Sequence, residues 1–189
     1  MNGHRHLAIV LPGQSYGPLG PAIRIPLLAV EQVGAEVVEV RYPERPATED
    51  EPWDAFHDSV LEQVRAAVAD ARPDEITFVA KSLGTVALAA LPPSLLAQVP
   101  VRAIWLTPIF GQASVRAGAI AMGRPSLLVA GGGDDLHAPQ DHAAVAGALR
   151  AESLVIPRAD HLLEVPGDVI ATADGFRSLA ERALGFLRR

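Results

Sequence analysis

The chain has 189 residues, 49% hydrophobic and 20% charged, a composition that supplies a sizeable core and excludes wholesale disorder. It contains no cysteine, which excludes disulfides, thiolate metal sites, iron–sulfur clusters and a cysteine nucleophile. The net charge of −6 argues against a general nucleic-acid binder, which usually presents a basic face.

Short apolar runs alternate with helical patterns along the chain. The first run, residues 7–11 (LAIVL), stops at Pro12-Gly13. It is too short for a signal-peptide core or a membrane helix, so a cytoplasmic protein with no membrane partner is expected. A first helix is expected over 23–33, with Pro26 in its opening turn. The second run, 36–42, is ended by Pro43. Residues 53–71 then place Phe56, Val60, Val64 and Val68 at helical spacing. The third run, 76–80, leads into an Ala/Leu-rich helix over 83–96. The fourth, 103–107, ends at Pro108 and is followed by a short helix within 111–122. The fifth, 127–130, meets three glycines and then a helix over 142–149. The sixth, 154–156, ends at Pro157, and a last helix covers 176–187. Most of the strands are continuously apolar, as in a parallel sheet covered on both faces. The reading is therefore a single α/β domain, a three-layer sandwich on a mainly parallel six-stranded sheet.

Ligands of open parallel sheets bind beyond the carboxyl ends of the strands, and three polar clusters fall there. The third strand ends in Ala80-Lys81-Ser82-Leu83-Gly84, a strand, sharp turn and helix with serine at the apex and small residues two positions to either side. The fifth ends in Gly131-Gly132-Gly133-Asp134-Asp135-Leu136-His137-Ala138-Pro139, and the sixth in Pro157-Arg158-Ala159-Asp160-His161. Serine, acid and histidine thus follow in that order, each after its own strand. The pattern resembles the α/β-hydrolase family over nearly the whole chain. Ala80 departs from it, since the family usually has glycine there.

The resemblance implies a minimal α/β-hydrolase fold with strand order 2-1-3-4-5-6 and a triad of Ser82, Asp135 and His161. The Gly132, Asp135, Pro139 spacing favours Asp135 over the adjacent Asp134. It also implies an oxyanion hole from the backbone N–H groups of Gln14 and Leu83, and substrate-pocket walls from Tyr16, Thr107, Ile109 and Phe110. The connection over 108–124 leaves no room for a separate lid domain. No cofactor and no metal are expected: His4 and His6 read as solvated strand residues, and His142 as a helix-surface residue. His137 is a candidate to line the site. Lys81, the single lysine among 16 basic residues, reads as pointing away from Ser82, its ammonium in solvent or near a carboxylate.

The expected activity is a serine hydrolase acting on a carboxylic ester or thioester of a small or carrier-presented acyl substrate, through an acyl-enzyme on Ser82. Acyl transfer, cyclisation or lyase chemistry on the same fold is the alternative, because fold does not fix reaction class. A non-catalytic binding module with a relic triad is a further one, and Ser82 read alone could be a plain helix N-cap. A dinucleotide site is disfavoured. Gly13, Gly17 and Gly20 do not fit G-x-G-x-x-G, and Pro18 and Pro21 remove N–H groups that a pyrophosphate needs.

Overall fold

The computed structural model describes residues 4–42, 53–97 and 99–189. Its elements are β1 (His6–Leu11), α1 (Pro21–Gln32), β2 (Ala35–Glu39), α2 (Asp54–Ala71), β3 (Glu75–Lys81), α3 (Leu83–Ala90), a 3-10 turn (Pro93–Leu96), β4 (Val101–Leu106), α4 (Ala113–Met122), β5 (Ser126–Gly131), α5 (Pro139–Leu149), β6 (Glu152–Ile156) and α6 (Val169–Leu187). The six strands form one all-parallel sheet in the order β2-β1-β3-β4-β5-β6. Chain order and strand order reverse between β1 and β3, which places the ligand crevice over the carboxyl ends of those two strands.

Side chains alternate across the sheet and divide the core into two layers. Leu7, Ile9, Leu11, Phe78, Ala80 and Trp105 pack under α2, α3, α4 and α5, against Phe56, Val60, Leu88, Val115 and Val145. Ala8, Val10, Val79, Ile104 and Leu106 face α1 and α6, against Ile23, Leu27, Val30, Leu179 and Ala183. The inner strands are buried almost throughout, whereas β2 and β6, at the edges, are mostly part-exposed.

Several expected boundaries shift. The second strand stops at Glu39 instead of reaching Tyr42; Pro43, expected to end it, lies outside the described residues. The first helix begins at Pro21, so Pro26 lies inside it. Its ring removes one donor there, and Pro26 itself is buried. The helix after β3 ends at Ala90, short of the expected Leu96. The helix after β5 begins at Pro139, whose fixed φ suits a first turn. The last helix starts seven residues early, at Val169, because the Asp168 carboxylate accepts from Ala171 N–H at 2.9 Å and caps it. Among the described residues no helix is long and apolar enough to cross a membrane.

Candidate active site

The turn between β3 and α3 brings Ser82 to the sheet's upper edge with φ 50° and ψ −112°, a region that L-residues rarely adopt. Two small neighbours permit it. A Cβ on Gly84 would sit 1.9 Å from the Leu11 carbonyl oxygen, so only glycine lets α3 close onto the end of β1. Ala80 is accommodated: its methyl group is wholly buried in the layer that holds Phe78 and Trp105. Ser82 N–H donates to the Leu106 carbonyl at 3.0 Å, and Thr85 Oγ1 donates back to the Ser82 carbonyl at 2.6 Å. Ser82 is therefore held as a turn apex, and its side chain makes no N-cap bond.

The loops after β5 and β6 are docked on one another. A Cβ on Gly131 would lie 2.3 Å from the Ala159 carbonyl oxygen, so glycine is required for that approach. Gly132 and Gly133 N–H groups donate to the carbonyls of Ile156 and Ala159, both at 2.8 Å. The histidine loop is closed by Asp160, whose Oδ1 accepts from Leu162 and Glu164 N–H groups at 2.8 and 3.1 Å. Its own N–H donates to the Glu164 carbonyl. That turn presents His161 to Ser82, with 2.8 Å between His161 Nε2 and Ser82 Oγ.

The carboxylate that meets the histidine is Asp134, and this corrects the expectation of Asp135. Asp134 Oδ2 lies 2.8 Å from His161 Nδ1, while Asp134 Oδ1 accepts from Leu136 N–H at 2.9 Å. The second contact is an Asx-type turn that aims the carboxylate back under the loop. Adjacent side chains diverge, so Asp135 is left exposed. Spacing to Pro139 could not register which of the two the turn folds inward. The Asp134 side chain is 3% exposed. Burial pushes its carboxyl up, yet the bonds from His161 and Leu136, with the nearby His161 and Lys81 charges, hold it below the ordinary range.

The remaining site residues fall into two groups. Gln14 is exposed on the β1 loop, and Gly13 beside it is so close to the elbow that a Cβ there would lie 3.6 Å from Ser82 Cβ. Leu83 opens α3, where an N–H has no intrahelical acceptor. Both N–H groups thus belong to segments that border Ser82. Ile109 is part-exposed, its N–H donating to Thr85 Oγ1 at 3.3 Å, and Tyr16 is part-buried, its hydroxyl accepting from Ala22 N–H at 3.0 Å. Phe110 and Thr107, by contrast, are not wall residues. Phe110 is wholly buried against Trp105 and His142, and Thr107 is 2% exposed with its hydroxyl engaged by Lys81.

Lys81 itself departs most from expectation. It is 1% exposed and does not reach solvent. Its Nζ donates to Thr107 Oγ1 at 3.0 Å and to the His161 carbonyl at 2.8 Å, and stands 4.7 Å from the centre of the Tyr16 ring. Two histidines read as surface residues are also inside. His6 is bonded to Thr77 Oγ1 at 2.8 Å and His142 Nε2 to Ser153 Oγ at 2.8 Å. His137 packs on His142 and lines a groove with Gly132, Pro139 and Val155 that includes neither Ser82 nor His161. Among the described residues no cluster of histidine and carboxylate could hold a metal ion.

No sequence family matches the chain, and no curated protein matches it in sequence. Solved structures do. Est1E from Butyrivibrio proteoclasticus matches with a TM-score of 0.73 at 13% identity, over 98% of this chain and 90% of that one. Est1E with ferulic acid bound gives 0.69 at 12%, over 98% and 91%. An alpha-beta serine hydrolase homologue from Coxiella burnetii gives 0.68 at 14%, over 97% and 86%. The protein has the α/β-hydrolase fold.

Proposed function

We propose that the protein is a serine hydrolase that cleaves a carboxylic ester or thioester through an acyl-enzyme on Ser82. One observation carries this reading: the unbroken chain Ser82 Oγ, His161 Nε2, His161 Nδ1, Asp134 Oδ2, with 2.8 Å at each hydrogen bond. In this arrangement Asp134 accepts a hydrogen bond from His161 Nδ1–H, which fixes the tautomer and leaves Nε2 as the basic nitrogen facing the serine. As Ser82 Oγ bonds to the acyl carbon, its proton passes to Nε2. The imidazolium then returns that proton to the departing alcohol or thiol as the acyl–oxygen or acyl–sulfur bond breaks. Water attacks the acyl-enzyme along the same route, releasing the carboxylic acid and restoring Ser82. The N–H groups of Leu83 and Gln14 are the donors to the oxyanion, a contribution worth about 10²–10³ in turnover per donor in other enzymes.

The connection between β4 and β5 is consistent with a small or carrier-presented acyl substrate. A Cβ on Gly118 would lie 2.1 Å from the Ala89 carbonyl oxygen, so the one helix of this connection packs closely on α3. The ferulic acid held by Est1E places aromatic acyl groups beside short aliphatic ones as substrates to try. The test is labelling with a fluorophosphonate, with Ser82→Ala as control, followed by p-nitrophenyl and thioester substrates of graded acyl size. Labelling of Ser82 together with turnover of at least one ester or thioester is expected. Absence of labelling in folded protein overturns the reading.

A further inference from the structure

The mechanism above leaves one buried charged group without a task. Lys81 precedes Ser82 in the chain, yet its ammonium is spent on the loop that carries the histidine. Residue 161 is thereby gripped at two ends by two consecutive residues: Lys81 Nζ holds its main-chain oxygen at 2.8 Å, and Ser82 Oγ meets the tip of its ring at 2.8 Å. Asp134 holds the third point, Nδ1. We propose that Lys81 is a positioning residue for His161, tying the histidine loop to the end of β3 so that the imidazole stays within reach of Ser82. The inference rests on the hydrolase reading and assigns the site a part which that reading does not contain.

Three details support the assignment. The first is the company of the ammonium. Its contacts are the Thr107 hydroxyl, the His161 carbonyl and the face of the Tyr16 ring. A compact ammonium with three rotatable donors addresses these three together. The 15 other basic residues of the chain are all arginine, which makes a lysine here a departure from its own composition. The second is Thr107. A β-branched residue at φ 43° is strained, and the strained turn is what presents its hydroxyl to Lys81. The third is energetic. A buried ammonium with no carboxylate of the described residues in direct contact is an expensive way to tie a loop. The charges that act on it are those of Asp134 and Asp160; the His161 ring is bonded to the first of these and follows the second in the chain. Burial lowers the Lys81 pKa to about 8, against the opposing pull of those two carboxylates. The bond to the His161 carbonyl is therefore charge-assisted at neutral pH and weakens on the alkaline side.

The experiment uses the full chain carrying ε-15N-lysine, in which the only lysine gives a single side-chain signal, together with Lys81→Met and Thr107→Val. For Lys81→Met we expect kcat to fall by about 10- to 100-fold with KM within about threefold, since misplacing a reacting group by about 1 Å costs on that order. Fluorophosphonate labelling slows by a similar factor, the downfield Nδ1 proton signal of His161 broadens or disappears, and the melting temperature does not fall. Thr107→Val, which retains the ammonium but removes one acceptor, loses about three- to tenfold in kcat and serves if Lys81→Met does not fold. A Lys81→Met protein with kcat within threefold and an intact His161 signal overturns the proposal, as does an unaltered kcat in Thr107→Val. Should the unsubstituted protein prove inactive, the hydrolase reading falls separately. The His161 proton signal, lost or retained on replacing Lys81, then still supports or overturns the positioning role.

Discussion

Asp134 and Asp135 are chemically identical neighbours, and a single turn separates their fates. The turn bonds Asp134 Oδ1 to Leu136 N–H and leaves Asp135 in water. On the proposed mechanism, Asp134→Asn replaces the carboxylate beside Nδ1 with an amide that can also donate to it, so kcat is expected to drop by about 10³–10⁴. Asp135→Asn is expected to stay within threefold; steady-state kinetics on one ester decides between them. Lys81 supports a second residue-scale prediction, on stability. Its folded pKa of about 8 lies below the unfolded value near 10.5, so between these pH values the unfolded chain binds more protons than the native one. Native stability, relative to Lys81→Met, should therefore rise as pH goes from about 8 to 10, by on the order of 2–3 kcal/mol. Urea unfolding of both proteins at pH 7, 8, 9 and 10 measures the difference, and a constant gap contradicts the burial of a charged ammonium.

The elbow joins β3 to α3 only because α3 can touch the end of β1. At Gly84 a methyl group would overlap the Leu11 carbonyl, and backbone on both sides must move to admit it. Gly84→Ala should destabilise the protein by about 2 kcal/mol and lower labelling of Ser82 by at least tenfold, read from thermal melting and fluorophosphonate rates together. The opposite elbow position accommodates Ala80, whose methyl group is buried in the apolar layer. The elbow was legible in the sequence for this reason: its geometry constrains residues that are neighbours in the chain. The docking of α5 on β6 was not. His142 lies at helical spacing with polar neighbours and reads as exposed, but β6 supplies Ser153 eleven positions away, and the imidazole is buried against it.

At the scale of the molecule, the parallel sheet collects at one end every loop that matters, each from a different stretch of chain. Five of the seven described non-glycine residues with positive φ belong to loops at that end: Ser15, Ser82, Thr107, Arg158 and Leu163. Backbone strain is concentrated where side chains must be aimed and is supported by two apolar layers beneath. The same burial gives an acid limit. His142 is held neutral, its pKa lowered to about 4 by burial and by His137, below an unfolded value near 6.5. Protons therefore favour the unfolded chain between those limits, and stability should fall as pH drops from about 6.5 to 4. His142→Gln should flatten that part of the profile, followed by chemical denaturation across the range; a slope unaltered by the substitution would show that the titration belongs elsewhere.

The sequence by itself determined the number of the strands and their succession along the chain, the serine at the elbow and the histidine after the last strand. Each of those is written in residues close together: apolar runs, proline and glycine stops, small residues flanking Ser82. Tertiary structure decided which aspartate meets the imidazole, that Phe110 and Thr107 turn inward, and that the one lysine is buried beneath the histidine loop. The reason is physical. Where a side chain goes depends on which distant segment fills the space beside it, and Lys81 finds the partner that fixes its place 80 residues further along, at the His161 carbonyl.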